Sequence, residues 1–231
     1  MRFSVETGGA KGRETMSSFP GSPRLLKGGI VLIDPATSAV QRIIPLQYNP
    51  DSLTRTLQVQ GAGEQGDRSE ALRLKGPAVE TIKLEAELDA TDEMEAGNAV
   101  VGESGIAPQL AALETLLYPT SGQLTANQIL SNLGTLEILP METALSLFVF
   151  GHNRVLPVRV TEFSVTEEAF DPNLNPIRAK VSLGLRVLSV DDVGFTHKAG
   201  SLFMSYLRQK EALRAKAQAG SLGSLGMTGI P

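Results

Sequence analysis

Several residue types with strong chemical signatures are missing or scarce in this chain of 231 residues. It has no cysteine and no tryptophan, and its only histidines are His152 and His197. The absence of cysteine excludes disulfides, thiolate zinc sites and a cysteine nucleophile. Two histidines leave few groups for acid–base catalysis near neutral pH. Aromatic residues make up 5% of the chain, which disfavours a stacking platform for sugars.

The charge balance and the hydropathy pattern exclude further classes of protein. The net charge is −4, whereas a protein that neutralises nucleic-acid phosphates is normally basic. No run of about 18 apolar residues predicts a transmembrane helix, and the first residues lack the apolar core of a secretory signal. We therefore expect a cytoplasmic protein that binds no nucleic acid and does not insert into membranes.

The composition along the chain predicts four regions. Residues 1–27 are rich in Gly, Ser and Pro and predict a flexible N-terminal arm. A β domain is expected over 28–195, and a C-terminal helix over 196–219. Residues 220–231 (GSLGSLGMTGIP) predict a second flexible segment.

Alternation of apolar and polar residues is the dominant pattern in the predicted β domain, and it is typical of half-buried strands. The longest example runs from Ile177 to Val187, and a second occupies 79–88. Shorter strands are expected at 29–34, 42–48 and 53–60, the last with Leu53, Leu57 and Val59 on one face. Pro45 predicts that its strand lies at an edge or carries a bulge.

Two segments depart from simple alternation. LSLFVFG, at 145–151, is apolar on both faces, which indicates either a central strand or a strand covered by another subunit. In the following strand the apolar residues change from even to odd positions, so we predict a β-bulge near Thr161–Glu162.

Helical spacing predicts helices at about 107–117 and 198–218, and a short helix near 125–132. Long antiparallel strands with few helices indicate a mainly β protein. The expected fold is a β-sandwich or partly closed barrel with a flanking helix and a C-terminal helix.

Sequence motifs that could carry chemistry are better explained as ordinary turns and loops. Gly61, Gly63 and Gly66 form G-x-G-x-x-G, but the preceding strand is polar on one face, which favours a hairpin loop over a dinucleotide site. The segment from Asp171 has Pro176 where a calcium loop needs glycine, which favours a turn. The acidic residues Asp89, Asp92, Glu93 and Glu95 are better explained as a solvated connection after a strand than as a cation site or a catalytic carboxylate pair. His152 lies in a predicted turn, and His197 lies near the start of the last predicted helix. We therefore predict no catalytic, cofactor-binding or metal-binding residue.

Five segments, taken in order, resemble one known family. They read KGGIVLIDP, PLQYNPDSLTRTL, ETIKLEAELDATD, GIAPQLAALETLLYP and EEAFDPNLNPIRAKVSLGLRVL. Together they resemble the tube-adaptor (tube-initiator) proteins of contractile injection systems, which are phage-tail-like particles of bacteria. The most specific segments supply the signature residues Gln47, Tyr48, Asn49, Pro50, Phe170, Asp171, Pro172, Asn175 and Pro176.

The resemblance implies a phage tail-tube-like β fold that assembles as a hexameric ring in the baseplate. The implied partners are the rings of the inner tube, the spike or hub protein and other baseplate components. The particle is assembled in the cytoplasm and is then either released or retained. Many relatives carry a LysM-type module after the tube-like domain, where this sequence predicts a helix and a Gly/Ser segment.

A ring subunit needs strand edges and loops that contact its neighbours. The candidate contact residues are Gly61, Glu64, Arg68, Arg73, Leu147, Phe148 and Phe150. They belong to the polar loop from Gly61 to Gly76 and to the doubly apolar strand, although both segments could also be ordinary parts of a monomer. Two other functions stay open at this point: a subunit that stacks into the inner tube itself, and a β-sandwich accessory protein that binds or hydrolyses carbohydrate.

Overall fold

One antiparallel sheet of seven strands forms the centre of the protein in a computed structural model that describes residues 25–61, 73–132 and 143–230. The strands are β1 (Gly29–Ile33), β2 (Val40–Pro45), β3 (Leu53–Gln58), β4 (Val79–Asp89), β5 (Leu145–Val149), β6 (Val155–Phe170) and β7 (Pro176–Val187). Their order is β2-β1-β5-β6-β7-β4-β3, with every neighbouring pair antiparallel. The mainly β prediction is confirmed, and the sheet is not closed into a barrel.

Six α-helices accompany the sheet in the described residues. They are α1 (Thr91–Glu95), α2 (Ala99–Ser104), α3 (Ala107–Glu114), α4 (Ser121–Asn132), α5 (Val190–Val193) and α6 (Lys198–Lys216). The three predicted helices correspond to α3, α4 and α6, while the short α1, α2 and α5 were not predicted. α6 begins where the Nδ1 atom of His197 accepts a hydrogen bond from the backbone N–H of Ala199 at 3.1 Å. After α6 the chain forms one exposed 3-10 turn at Leu222–Leu225.

Strands β4 and β7 supply the centre of the main core because one face of each is apolar along nearly its whole length. The buried apolar side chains of the two strands are Ile82, Leu84, Ala86, Leu88, Ala179, Val181, Leu183, Leu185 and Val187. Val101 of α2, Ile106 immediately before α3 and Leu110 of α3 belong to the same core, and α6 contributes Phe203 and Tyr206. The strict alternation in the sequence therefore identified the core correctly.

The predicted bulge in β6 is present. Val160 pairs with Leu185 and Glu162 pairs with Gly184, which leaves Thr161 as the extra residue. The bulge lets Leu156 and Val158, which precede it, and Phe163, which follows it, all pack in the main core. Gly184 suits this position because a Cβ atom there would lie 2.7 Å from the Cβ atom of Glu162.

The chain itself covers both faces of β5, which lies between β1 and β6. Phe148 packs in the main core, while Leu145 and Leu147 pack on the other face against Ile33 and Ala199. This decides between the two interpretations of LSLFVFG in favour of a central strand. Leu147 and Phe148 are buried within one chain, which corrects their prediction as contact residues between subunits.

The two edge strands of the sheet are β2 and β3. The prediction from Pro45 that its strand lies at an edge or carries a bulge is confirmed, since β2 is an edge strand and its register with β1 shifts between Leu32 and Ile33. The predicted shared apolar face of Leu53, Leu57 and Val59 is not buried: Leu53 is half-buried and the other two are exposed. The reason is that β3 has a neighbour on one side only, so much of its surface stays open to solvent.

A buried ionic cluster fastens α6 to β3 and β4. The Glu80 side chain is 3% exposed, and its carboxylate accepts hydrogen bonds from Arg55 at 2.8 Å and from Lys210 at 2.9 Å. The Tyr206 hydroxyl lies 3.2 Å from the same carboxylate, and the Lys210 Nζ atom lies 4.2 Å from the centre of the Tyr206 ring. Burial alone would raise the pKa of Glu80, but Lys210 and Arg55 together lower it below its usual 4.5.

Deleting Thr161 tests the role of the bulge. We expect a loss of more than about 4 kcal/mol in the free energy of unfolding, because one half of β6 must then turn its apolar residues toward water. The matched control is Thr161→Val, which keeps the residue count and loses only the hydroxyl contact to the Gly184 carbonyl at 3.2 Å, at a cost of about 1 kcal/mol. Urea unfolding measures both changes, and similar midpoints for the two variants would contradict this role.

Replacing Glu80 by Gln tests the ionic cluster and its pH dependence. We expect a loss of about 3 kcal/mol at pH 7, because two cations lose their buried partner. The folded-state pKa lies below the usual 4.5, so the contribution of the carboxylate is full above that value and is lost as the pH falls through the lowered pKa. The difference between parent and variant, measured by urea unfolding from pH 7 to pH 3, should therefore shrink only below about pH 4.5. Glu85→Gln, on the exposed face of the same strand, should change stability by less than about 0.5 kcal/mol.

Candidate assembly interface

The segment from Leu46 to Ser52 joins the two opposite edges of the sheet. It connects β2 directly to β3, although the other five strands lie between them in the sheet. Such a short connection is feasible only if the sheet curls so that its edges approach each other. The Gln47 side chain holds this arrangement, since its Nε2 atom donates to the Asp89 carbonyl at 2.6 Å and its Oε1 atom accepts from the Asp89 N–H at 2.9 Å. The Gln47 carboxamide thus forms with the Asp89 backbone the two hydrogen bonds that a strand next to this end of β4 would form.

Asn49 fixes the same segment to the start of β1. Its Oδ1 atom accepts a hydrogen bond from the Gly28 N–H at 2.8 Å, and its Nδ2 atom donates to the Leu26 carbonyl at 2.8 Å. Gln47 and Asn49 therefore point their amides at backbone groups on two different sides of the connection. Both were predicted as signature residues, and the structure gives each a structural role.

Tyr48, between these two amides, is left 46% exposed. It borders an open depression of about 610 Å³ that also contains Asp51, Glu85 and Glu87. Pro50 and Lys27 also line this depression. The signature turn thus presents an aromatic ring beside three carboxylates, on a surface that a partner can reach.

The second signature segment forms the turn between β6 and β7. The Asp171 carboxylate accepts hydrogen bonds from the backbone N–H groups of Asn173 and Asn175. The Asn175 side chain donates to Asp171 and also to the Glu103 carbonyl at 3.0 Å, which ties the turn to α2. These bonds, the Asn175 side chain first, lower the pKa of Asp171. The prediction of a turn in place of a calcium loop agrees with this geometry.

The neighbouring signature residues have different surroundings. The Pro176 carbonyl accepts a hydrogen bond from the Ile106 N–H at 2.8 Å, so it helps to position α3. Phe170 is half exposed and Pro172 is exposed. They add an apolar side chain and a rigid turn residue to the surface at this end of β6 and β7.

The outward face of β4, β6 and β7 is polar and carries ion pairs between strands, one of which spans from β4 to β6 across Gly184 of β7. Lys83 pairs with Glu162 at 2.6 Å, Arg178 with Asp89 at 2.9 Å and Lys180 with Glu168 at 3.2 Å. The Thr91 side chain and backbone, followed by Arg178, lower the pKa of Asp89. This face offers charged groups to water or to a polar partner.

Apolar side chains are exposed along both edges of the sheet. In β2 these are Val40 and Ile43, and at β3 they are Leu57 and Val59. Sequence reasoning missed Val40 because it lies before the strand predicted at 42–48, and it missed Ile43 because apolar residues in a strand are normally assigned to a core. Pro45, the last residue of β2, was the available signal that these residues could lie at an edge.

The remaining predicted contact residues fall into three groups. Gly61 forms an isolated bridge with Leu74 at the base of the β3–β4 hairpin, and Arg73 lies next to this bridge. Glu64 and Arg68 lie outside the described residues. Phe150 is half-buried and stacks on Phe148 with the ring centres 5.9 Å apart.

Side chains suited to catalysis or metal binding are dispersed in the described ranges. His152 lies in the turn between β5 and β6, as predicted, and His197 caps α6. Asp89 is engaged by Thr91 and Arg178, and Glu93 accepts a hydrogen bond from Asn98 at 3.2 Å. Within residues 25–61, 73–132 and 143–230, no group of three or more metal-ligating side chains is assembled.

The fold defines the chain as an antiparallel β protein with flanking helices and an open, strongly curled sheet. No protein-family model and no curated protein matches the chain. Among the helices that the structure describes, none has the length and apolar character needed to cross a membrane.

Gln47→Ala tests the side-chain link between the sheet edges. We expect a loss of about 1–3 kcal/mol in the free energy of unfolding, because the Asp89 N–H and carbonyl lose their partner. The matched control is Tyr48→Ala, the next residue, which should cost less than about 0.5 kcal/mol because its side chain is half exposed. Urea unfolding of both variants gives the comparison, and an equal loss would show that the Gln47 amide does not hold the edges together.

Proposed function

We propose that the protein is a structural subunit of the tube-adaptor type, whose copies form a hexameric ring at the baseplate end of a contractile injection system. The ring would join the spike or hub protein to the inner tube and provide the template on which the tube assembles. The observation that carries this proposal is the open sheet with exposed apolar residues on both of its edge strands, β2 and β3.

An edge strand has unpaired backbone N–H and carbonyl groups, so it can add a strand from another chain. The two edges of this sheet differ in sequence, and pairing β3 of one copy with β2 of the next therefore uses two different surfaces. Such a head-to-tail contact produces a closed ring when its rotation divides a full turn evenly. The apolar residues at both edges would be buried by the same contact, which supports association over a solitary chain.

The polar face of the sheet suits the rest of this assignment. Ion pairs such as Lys83–Glu162 and Arg178–Asp89 cover the outward face of β4, β6 and β7. The main core packs against the opposite face of these strands. In a ring, this face can border a wet lumen or the next ring of the tube. The resemblance of the signature turns to those of tube-adaptor proteins supports the same position in the particle, whether the particle is released or kept in the cell.

Negative-stain electron microscopy of the purified protein tests the proposed function directly. We expect single rings with six-fold symmetry, since an adaptor begins a tube but needs the tube protein to extend it. Long tubes from this chain alone would favour an inner-tube subunit instead. Particles that stay monomeric at high concentration would contradict both assignments.

Charged substitutions at the sheet edges test how the ring is closed. Val40→Lys on β2 and Leu57→Lys on β3 should each raise the protein concentration needed for ring formation at least about tenfold, because a lysine is placed in an apolar contact. Val100→Lys in α2 is the matched control, since Val40 and Val100 are both 59% exposed. Sedimentation velocity over a concentration series gives the comparison, and equal weakening by the control would argue against edge pairing.

A further inference from the structure

The C-terminal end of α6 is a basic surface that forms no ion pair with the other described residues of its chain. Residues 198–216 contain five basic side chains and one acidic one, a net of +4 in a chain whose net charge is −4. Arg208, Arg214 and Lys216 are exposed, and no ion pair among the described residues involves them. Leu213, on the same stretch, is 42% exposed.

The depression beside Tyr48 has the complementary character. Asp51, Glu85 and Glu87 line it, and none of these carboxylates belongs to an ion pair in the parts of the chain that the structure describes. Among the described residues that line it, Lys27 is the only basic one. On the neighbouring strand β7, Lys180 lies opposite Glu87 but forms its ion pair with Glu168. Glu168 first, and Glu85 and Glu87 to a smaller extent, raise the pKa of Lys180.

One chain cannot bring these two surfaces together. Lys210 of α6 reaches Glu80, whose side chain points to the buried face of β4. Glu85 and Glu87 occupy odd positions on the same strand and point to the opposite face, because side chains alternate along a strand. Glu87 is also seven residues from Glu80, a distance of about 23 Å along the strand.

We propose that the basic end of α6 in one copy docks in the Tyr48 depression of a second copy. The guanidinium group of Arg214 would pair with Glu85 or Glu87 and lie against the Tyr48 ring, and Lys216 would face Asp51. The contact is head-to-tail, like the edge pairing, but it uses neither β2 nor β3. It rests on the proposed function only in requiring that copies of this chain associate.

Site-specific cross-linking tests this contact, and the absence of cysteine makes the chain well suited to it. We expect a short bismaleimide to link Arg214→Cys in one copy to Glu87→Cys in another when the two variants are mixed. The matched control replaces Glu87→Cys by Glu114→Cys, which lies on the exposed surface of α3. Equal or no cross-linking in the two mixtures overturns the proposed contact.

Charge reversal provides a second, independent measurement. Glu85→Lys with Glu87→Lys should weaken self-association at least about tenfold, and Arg214→Glu with Lys216→Glu should do the same. Mixing the Glu85/Glu87 variant with the Arg214/Lys216 variant should restore association. In the mixture, the basic depression of one variant can contact the acidic helix end of the other. The control pair Glu103→Lys and Glu114→Lys changes the net charge equally and should have little effect; a loss as large as that of the Glu85 and Glu87 pair overturns the inference.

The outcomes separate this contact from the proposed function. If rings form and depend on Val40 and Leu57 but Arg214→Cys and Glu87→Cys do not cross-link, the α6 contact is wrong and the proposed function stands. Cross-linking between copies that form no ring supports the α6 contact and contradicts the ring. Failure of the parent protein to associate under any condition contradicts both.

Discussion

The structure depends above all on one constraint of chain connectivity. β2 and β3 follow each other in sequence, yet they form the opposite edges of a seven-stranded sheet. Their short connection forces the sheet to curl, and the Gln47 carboxamide supplies the hydrogen bonds to Asp89 that no strand supplies there. A curled sheet can wrap one core from several sides, which explains why residues of β1, β4, β6 and β7 share a single cluster.

Two groups of polar side chains then set the positions of the outer elements. Glu80 holds α6 against the sheet through Arg55 and Lys210, and Asn175 holds the β6–β7 turn against α2. Both are longer-range contacts whose partners are far apart in sequence. A buried carboxylate that interacts with two cations restricts the orientation of a helix more than apolar packing alone, because hydrogen bonds have preferred directions.

The same architecture separates surfaces by character. Curling gathers most of the apolar residues inside but leaves β2 and β3 without neighbours on one side, so Val40, Ile43 and Leu57 remain exposed. The outward face of β4 keeps Glu85 and Glu87, and α6 collects basic residues on a different side of the molecule. The exposed apolar edges and the segregated charge are the observations on which the functions proposed above are based.

The sequence alone determined the strands with strict alternation, the bulge at Thr161 and the turn that begins at Asp171, because each depends on residues close together in the chain. For β2 it predicted an edge position or a bulge. It also identified Gln47 and Asn49 as signature residues, through a resemblance rather than through their contacts. It could not show that Glu80 is buried among two cations, that β5 is covered on both faces by its own chain, or that the acidic depression and the basic helix end lie on different sides. Those features were decided by the tertiary structure, because they depend on which distant segments the curled sheet brings together, and local periodicity contains no information about such pairs.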